Sequence, residues 1–118
     1  MLSEEALLIL SKKIAGRNLG GYRSATARGL PYYGKLRSKF PVHFRSFIGV
    51  VKRSEISGLA SDFSRTPESL AKFIFHIGAI PSDMKEPTVG RFNHAKGYVI
   101  GNFAWQEKHD NVKESGTR

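Results

Sequence analysis

The sequence predicts an α+β fold: a single domain, mostly helical, that ends in a ββα unit. Three observations lead there. Apolar residues recur at three- and four-residue spacing in three separate stretches bounded by helix start and stop residues. Two short runs near the C-terminus, Thr88 to Phe92 and Asn102 to Trp105, read as strands around a loop carrying Lys96-Gly97, and a polar helical stretch follows them. The 118 residues amount to one domain's length.

The first helix is expected over residues 4–15. Ser3 can accept from free amides of the first turn, and Glu4 and Glu5 suit the positive end of the helix dipole. Leu7, Leu10 and Ile14 then share a face, and Gly16 is the expected stop. Residues 17–41 are less regular. Gly20-Gly21 breaks the chain, a short helix over 23–28 would end at Gly29, and Gly29, Pro31 and Gly34 punctuate an aromatic, basic stretch containing Tyr32 and Tyr33. One of these tyrosines is expected in the core and the other half-buried, although either has the flat face on which a base stacks.

From Pro41 to Val51, Phe44, Phe47, Ile48 and Val51 give a second amphipathic helix, with Arg45, Lys52 and Arg53 off the apolar stripe. Residues 54–65 read as a connection with a turn of helix near Leu59–Phe63. Thr66-Pro67-Glu68 opens a third helix with a cap, a proline at the first position and an acid in the first turn. Leu70, Phe73, Ile74 and Ile77 follow, and Gly78 closes it. A helix over Gln106 to Ser115 completes the ββα unit. The chain thus divides into a basic helical region, 1–86, and a C-terminal finger, 87–118, within one compact domain.

Composition narrows the function. The apolar share is 40% and the charged share 25%, values of a globular chain rather than a disordered one. There is no cysteine, which removes disulfides, cysteine-based zinc sites and a thiol nucleophile, and fits a reducing cytoplasm. The apolar run Leu7 to Leu10 is too short for a signal-peptide core or a membrane span, so a soluble protein with no membrane partner is expected.

Net charge is +9, and its distribution matters more than its size. Between Ala6 and Ser54 there is no Asp or Glu, while Lys12, Lys13, Arg17, Arg23, Arg28, Lys35, Arg37, Lys39, Arg45, Lys52 and Arg53 all fall there. Charge of one sign over some fifty residues repels itself unless a polyanion offsets it, and a basic stripe is the electrostatic footprint of nucleic-acid binding. DNA is therefore the expected partner, with Arg17, Arg23, Arg28, Lys35 and Arg37 as candidate contacts.

The C-terminal block carries the most specific pattern: Arg91-Phe92-Asn93-His94-Ala95-Lys96-Gly97-Tyr98-Val99-Ile100-Gly101-Asn102-Phe103-Ala104-Trp105, then Asn111. Over about residues 87–112 it resembles the HNH, or ββα-metal, endonuclease family, in particular its phage and mobile-element members. A looser likeness takes in Arg28-Gly29-Leu30-Pro31-Tyr32-Tyr33-Gly34 and His76-Ile77-Gly78. The resemblance implies a finger that cuts a phosphodiester with one divalent ion, Mg²⁺ or Mn²⁺. In such a finger a first-strand His activates water, an Asp beside it and an Asn or His of the helix hold the ion, and a middle Asn pins the loop.

Carried over residue by residue, Asn102 stands at the middle Asn, Asn111 at the helix ligand and Trp105 at the aromatic that packs strand to helix. Two registers are open for the first-strand pair. In one, Gly90-Arg91 takes the place of Asp-His. In the other, Asn93-His94 does, with His94 as general base and Asn93 as a metal ligand, weaker than a carboxylate. Arg91 is a candidate phosphate clamp in either. His94 is expected to be exposed, and His43 and His76 to be packing residues. His109 and Asn111, two apart, do not share a helix face. Asp83, Glu107 and Asp110 are the carboxylates whose approach to His94 would favour an enzyme. Three functions follow: an HNH-type endonuclease; a non-cutting HNH-like protein that binds DNA or acts on a host protein as a phage effector or inhibitor; and a basic component of a ribonucleoprotein.

Overall fold

Helix formation starts at Ser3, whose Oγ accepts from the Ala6 amide (3.2 Å) while its carbonyl accepts from Leu7. The computed structural model of the protein describes residues 2–12, 25 and 27–108. Within them the elements are α1 (Glu4–Lys12), α2 (Leu36–Lys39), α3 (Pro41–Ser57), α4 (Pro67–Ile77), β1 (Pro87–Arg91) and β2 (Phe103–Glu107). The expected end of the first helix at Gly16 and the Gly20-Gly21 break lie outside the described residues. Of the short helix expected over 23–28, the end is described: the Ala25 carbonyl accepts from both Arg28 and Leu30.

The apolar stripes of the helices converge on one core. α1 packs chiefly against α4, burying Leu7 against Leu70, Ala71 and Ile74. α3 adds Phe47, Val50 and Val51, and Leu36 and Tyr33 close the side toward α1. Tyr33 is buried and Tyr32 half-buried, the division expected from sequence. Phe73 is the centre of an aromatic cluster: it meets Phe47 (5.8 Å), Phe63 (5.5 Å, edge-on) and, stacked at 5.8 Å, Phe103 of β2.

The two strands pair antiparallel, with Val89 opposite Trp105, Gly90 opposite Ala104 and Arg91 opposite Phe103. Side chains alternate along a strand, so Val89, Phe103 and Trp105 enter the core together and Gly90 and Ala104 take the other face. The result is an α+β arrangement in which a two-stranded sheet leans on a helical body.

Several boundaries differ from the sequence expectation, β1 among them, which runs one residue earlier than expected. α3 continues to Ser57, well beyond Val51, and stops at Gly58, which takes a left-handed conformation (φ 71°). Its last turns project past the core, where Ile56 is 87% exposed, so no apolar periodicity marks them. Leu59–Phe63 is not helical; this segment instead bonds to the hairpin loop. β2 runs to Glu107 because Gln106 and Glu107 find ladder partners in Thr88 and Pro87. The helix expected from Gln106 therefore begins no earlier than Lys108, and residues 109–115 lie outside the described residues.

α4 matches its expected ends. Thr66 Oγ1 accepts from the Ser69 amide (3.1 Å), and Gly78 closes the helix with φ 77° and ψ −167°, a conformation essentially confined to glycine. The Gly78 carbonyl accepts two ring N–H groups, His43 Nε2 (2.8 Å) and Trp105 Nε1 (3.1 Å), and the two rings meet edge-on at 5.1 Å. His43 is the packing residue expected. His76 is not: it is exposed at the end of α4 beside Phe75, because its place on the helix faces away from the stripe of Leu70, Phe73, Ile74 and Ile77.

Burial pushes the His43 imidazole below the ordinary histidine range, and the bond to Gly78 pulls it partway back. In the unfolded chain the ring titrates near about 6.5. As pH falls through that value the unfolded chain takes up a proton before the folded one does. The stability contributed by the neutral ring is thus present above about pH 6.5 and is lost as pH falls toward the folded value. The melting temperature is expected to drop between about pH 7.5 and about pH 5.5, and His43→Phe is expected to flatten that slope, as measured by circular dichroism at matched ionic strength.

Candidate nucleic-acid interface

The segment joining β1 to β2, residues 92–102, is short of regular structure and dense in hydrogen bonds. Asn102 organises it. Its Oδ1 accepts from the Asn93 amide (2.9 Å), and its Nδ2 donates to the carbonyls of Asn93 (3.1 Å) and Gly97 (2.9 Å). The side chain is buried, with both ends satisfied. Only an amide offers an acceptor and two donors at this size. Backbone bonds from Phe92 to Asn102, Lys96 to Asn93, Val99 to Gly97 and Asn102 to Val99 complete the loop.

The connection after α3 braces this loop from outside. The Asp62 amide donates to the Tyr98 carbonyl (3.1 Å), and Asp62 Oδ2 accepts from the Ile100 amide (2.7 Å). Gly97 lies directly against the Ala60 carbonyl, where a Cβ would collide with backbone. This contact accounts for glycine in Lys96-Gly97-Tyr98. Tyr98 is buried with Arg53 and Arg91 over its ring, at 5.4 and 5.2 Å, and its hydroxyl accepts from Arg53 Nε (2.8 Å).

His94 is half-buried rather than exposed and lines an open recess of about 500 Å³ with Gly90, Arg91, Phe92, Ala104, Trp105 and Gln106. The small residues Gly90 and Ala104 form its floor, and at Gly90 a Cβ would strike the Gln106 side chain. Arg91 is held in place, with one Nη donating to the Lys96 carbonyl (3.0 Å). Phe92 is 72% exposed at the rim. Sequence reading passed over Phe92, since it fits a strand pattern; an aromatic so exposed beside a guanidinium and an imidazole is a surface on which a base or sugar can rest.

The recess thus gathers His94 and Arg91, with Asn93 next to His94. The Asn93 Oδ1 is turned back onto the Ala95 amide (2.9 Å). Trp105 joins β2 to His43 of α3 and to the Gly78 carbonyl at the end of α4. Asn111, the helix ligand of the resemblance, lies outside the described residues, as do Arg17, Arg23, His109 and Asp110. Arg28 and Arg37 share a second surface recess with Tyr32 and Gly34, away from His94. Arg37 sits over the Phe44 ring at 5.1 Å. Lys35 is half-buried and lines neither recess.

Two carboxylates near the hairpin are committed elsewhere, and Asp83 is exposed and does not line the His94 recess. Glu107 accepts from the amides of Lys85 (3.2 Å) and Glu86 (3.0 Å), at the end of the hairpin opposite the loop, and Asp62 holds Ile100. Among the described residues, no three His, Asp or Glu side chains group as a metal site. Among the described residues, an imidazole and one amide oxygen are fewer ligands than the oxygen-rich set a hard divalent ion takes. Comparison with protein families, curated proteins and solved structures finds no match to this chain.

Replacing Asn102 tests how the loop is held. Asn102→Ala leaves the Asn93 amide without its acceptor and takes one of two donors from each of the Asn93 and Gly97 carbonyls, and is expected to cost about 1–3 kcal/mol. Asn102→Asp keeps the acceptor but loses both donors and buries a charge, so it is expected to cost at least as much at neutral pH. Denaturant unfolding of the three proteins checks both.

Proposed function

We propose that this protein binds DNA as an HNH-like module, holding phosphates with its exposed cations and offering the Asn102-pinned loop, with Phe92, His94 and Arg91, to the nucleic acid. The observation that carries this reading is the lack of internal counter-charge. Among the described residues the salt bridges are Arg65–Glu55 and Lys108–Glu86. Lys12, Lys39 and Arg45 are exposed with no acidic partner among them. Charge left outward and unneutralised over a long segment is stabilised by a polyanion.

Binding is preferred to cutting because Asn93 stands where a carboxylate is usual in the family and Glu107 and Asp62 are tied to backbone amides. Metal-dependent cleavage by His94 is the second reading. What favours it is the open recess at His94 beside Arg91.

One assay separates the two. Plasmid and short duplex DNA are incubated with the protein in Mg²⁺ or Mn²⁺, wild type beside His94→Ala, and retention and nicking are scored on the same samples. Retention that falls steeply between about 50 and about 200 mM salt, without nicking, is expected; retention flat with salt defeats DNA binding, and nicking lost in His94→Ala establishes the enzyme. Phe92→Ala removes a solvent-exposed ring and is expected to leave stability unchanged while weakening retention about 5-fold or more.

A further inference from the structure

A second cationic surface lies between α3 and the start of the hairpin, and none of the DNA contacts expected from sequence belongs to it. Arg45, Gly49 and Arg53 fall at four-residue steps along one face of α3 and form one wall of a groove of about 440 Å³, with Ser46 between them. Lys85, Thr88 and Lys108 line the other wall. Four cations face this groove against one acid, Glu86, which is exposed and paired with Lys108 at 4.0 Å.

The groove is ordered before any ligand arrives. Arg53 is anchored through Nε to the Tyr98 hydroxyl, which leaves its two terminal nitrogens at the groove. Gly49 makes room for them: a Cβ there would stand 3.2 Å from Arg53 Nη1. Arginine held by its inner nitrogen keeps its outer N–H groups for a phosphate. From Arg45 to Arg53 the helix rises about 12 Å, longer than the axial rise between neighbouring phosphates of one DNA strand, about 3.4 Å. Cations spread over that length suit successive phosphates of a strand better than one small anion.

We infer that the α3–β1 groove is a track for one strand of DNA backbone. Tyr98 links it to the hairpin loop, because Arg53 at the groove and Arg91 at the His94 recess both lie over its ring. A strand in the groove is thereby set at a fixed distance from the loop. This inference rests on the DNA-binding reading above.

The test uses the full chain. Arg45→Gln with Lys85→Gln removes two exposed groove cations and leaves Arg53 in place. Lys52→Gln with Lys72→Gln removes the same charge from outside the groove. Duplex retention is measured across a salt series in chloride and in inorganic phosphate of equal ionic strength, with melting curves to confirm folding. In the groove variant the slope of log affinity against log salt is expected to become shallower by about two, with at least a tenfold loss near physiological salt, and in the control by clearly less. Phosphate is expected to compete no better than chloride. Equal losses in the two variants, or none in the groove variant while wild type still binds steeply with salt, would overturn the groove and leave DNA binding standing. Specific competition by phosphate would overturn the strand in favour of a small anion. Failure of wild type to retain DNA at all would overturn both.

Discussion

The carbonyl of Gly78 joins the helical body to the hairpin. It receives N–H groups from His43 on α3 and Trp105 on β2 while itself ending α4, so three elements meet on one oxygen. A buried ring N–H without an acceptor costs on the order of 1–3 kcal/mol, and this junction satisfies two at once. It requires a proton on His43 Nε2 and a backbone conformation that glycine alone takes easily, while burial favours the neutral ring. With that contact made, Val89, Phe103 and Trp105 lie along the aromatic core around Phe73, and the remaining face of the hairpin is left for the recess at His94.

The loop at the other end of the hairpin is rigid for a different reason. Its backbone groups are satisfied from inside by Asn102 and from outside by Asp62, and its tyrosine is clasped by two guanidinium groups. Phe92, Arg91 and His94 are therefore presented on a fixed frame rather than a free loop. A site held in this way binds without losing much conformational entropy, and this is a property of the scaffold whether or not any bond is cut.

Charge and packing are divided cleanly between the faces of α3. One face gives Phe47, Val50 and Val51 to the core, while another carries Arg45 and Arg53 beside the small residues Ser46 and Gly49. Arg45 and Arg53 have no acidic partner among the described residues, and the one acid at the groove, Glu86, pairs with Lys108. The hairpin loop and the groove are joined through Tyr98, so a ligand spanning both would meet one continuous, pre-set surface.

Local physics made much of this readable in the sequence. Ser3 and Thr66 announced their helices by capping, Gly78 its stop, and the Tyr32-Tyr33 pair divided between core and surface as neighbouring aromatics in a basic stretch tend to. The resemblance around Asn102 implied a loop pinned by that residue, and its amide, with one acceptor and two donors, holds the loop. Sequence alone also established the one-signed charge from Ala6 to Ser54 and the lack of cysteine. What it left open was decided by contacts between distant segments. The end of α3 lies beyond the core, so periodicity gave no sign of it. The exposure of His76, the tying of Glu107 to the amides of Lys85 and Glu86, and the contact of Gly97 with Ala60 depend on which surfaces meet. The groove beside α3 is of the same kind: Arg45 and Arg53, eight residues apart, share a helix face, but Lys85 and Lys108 join them only because the hairpin docks there, and docking is set by the core and by Gly78.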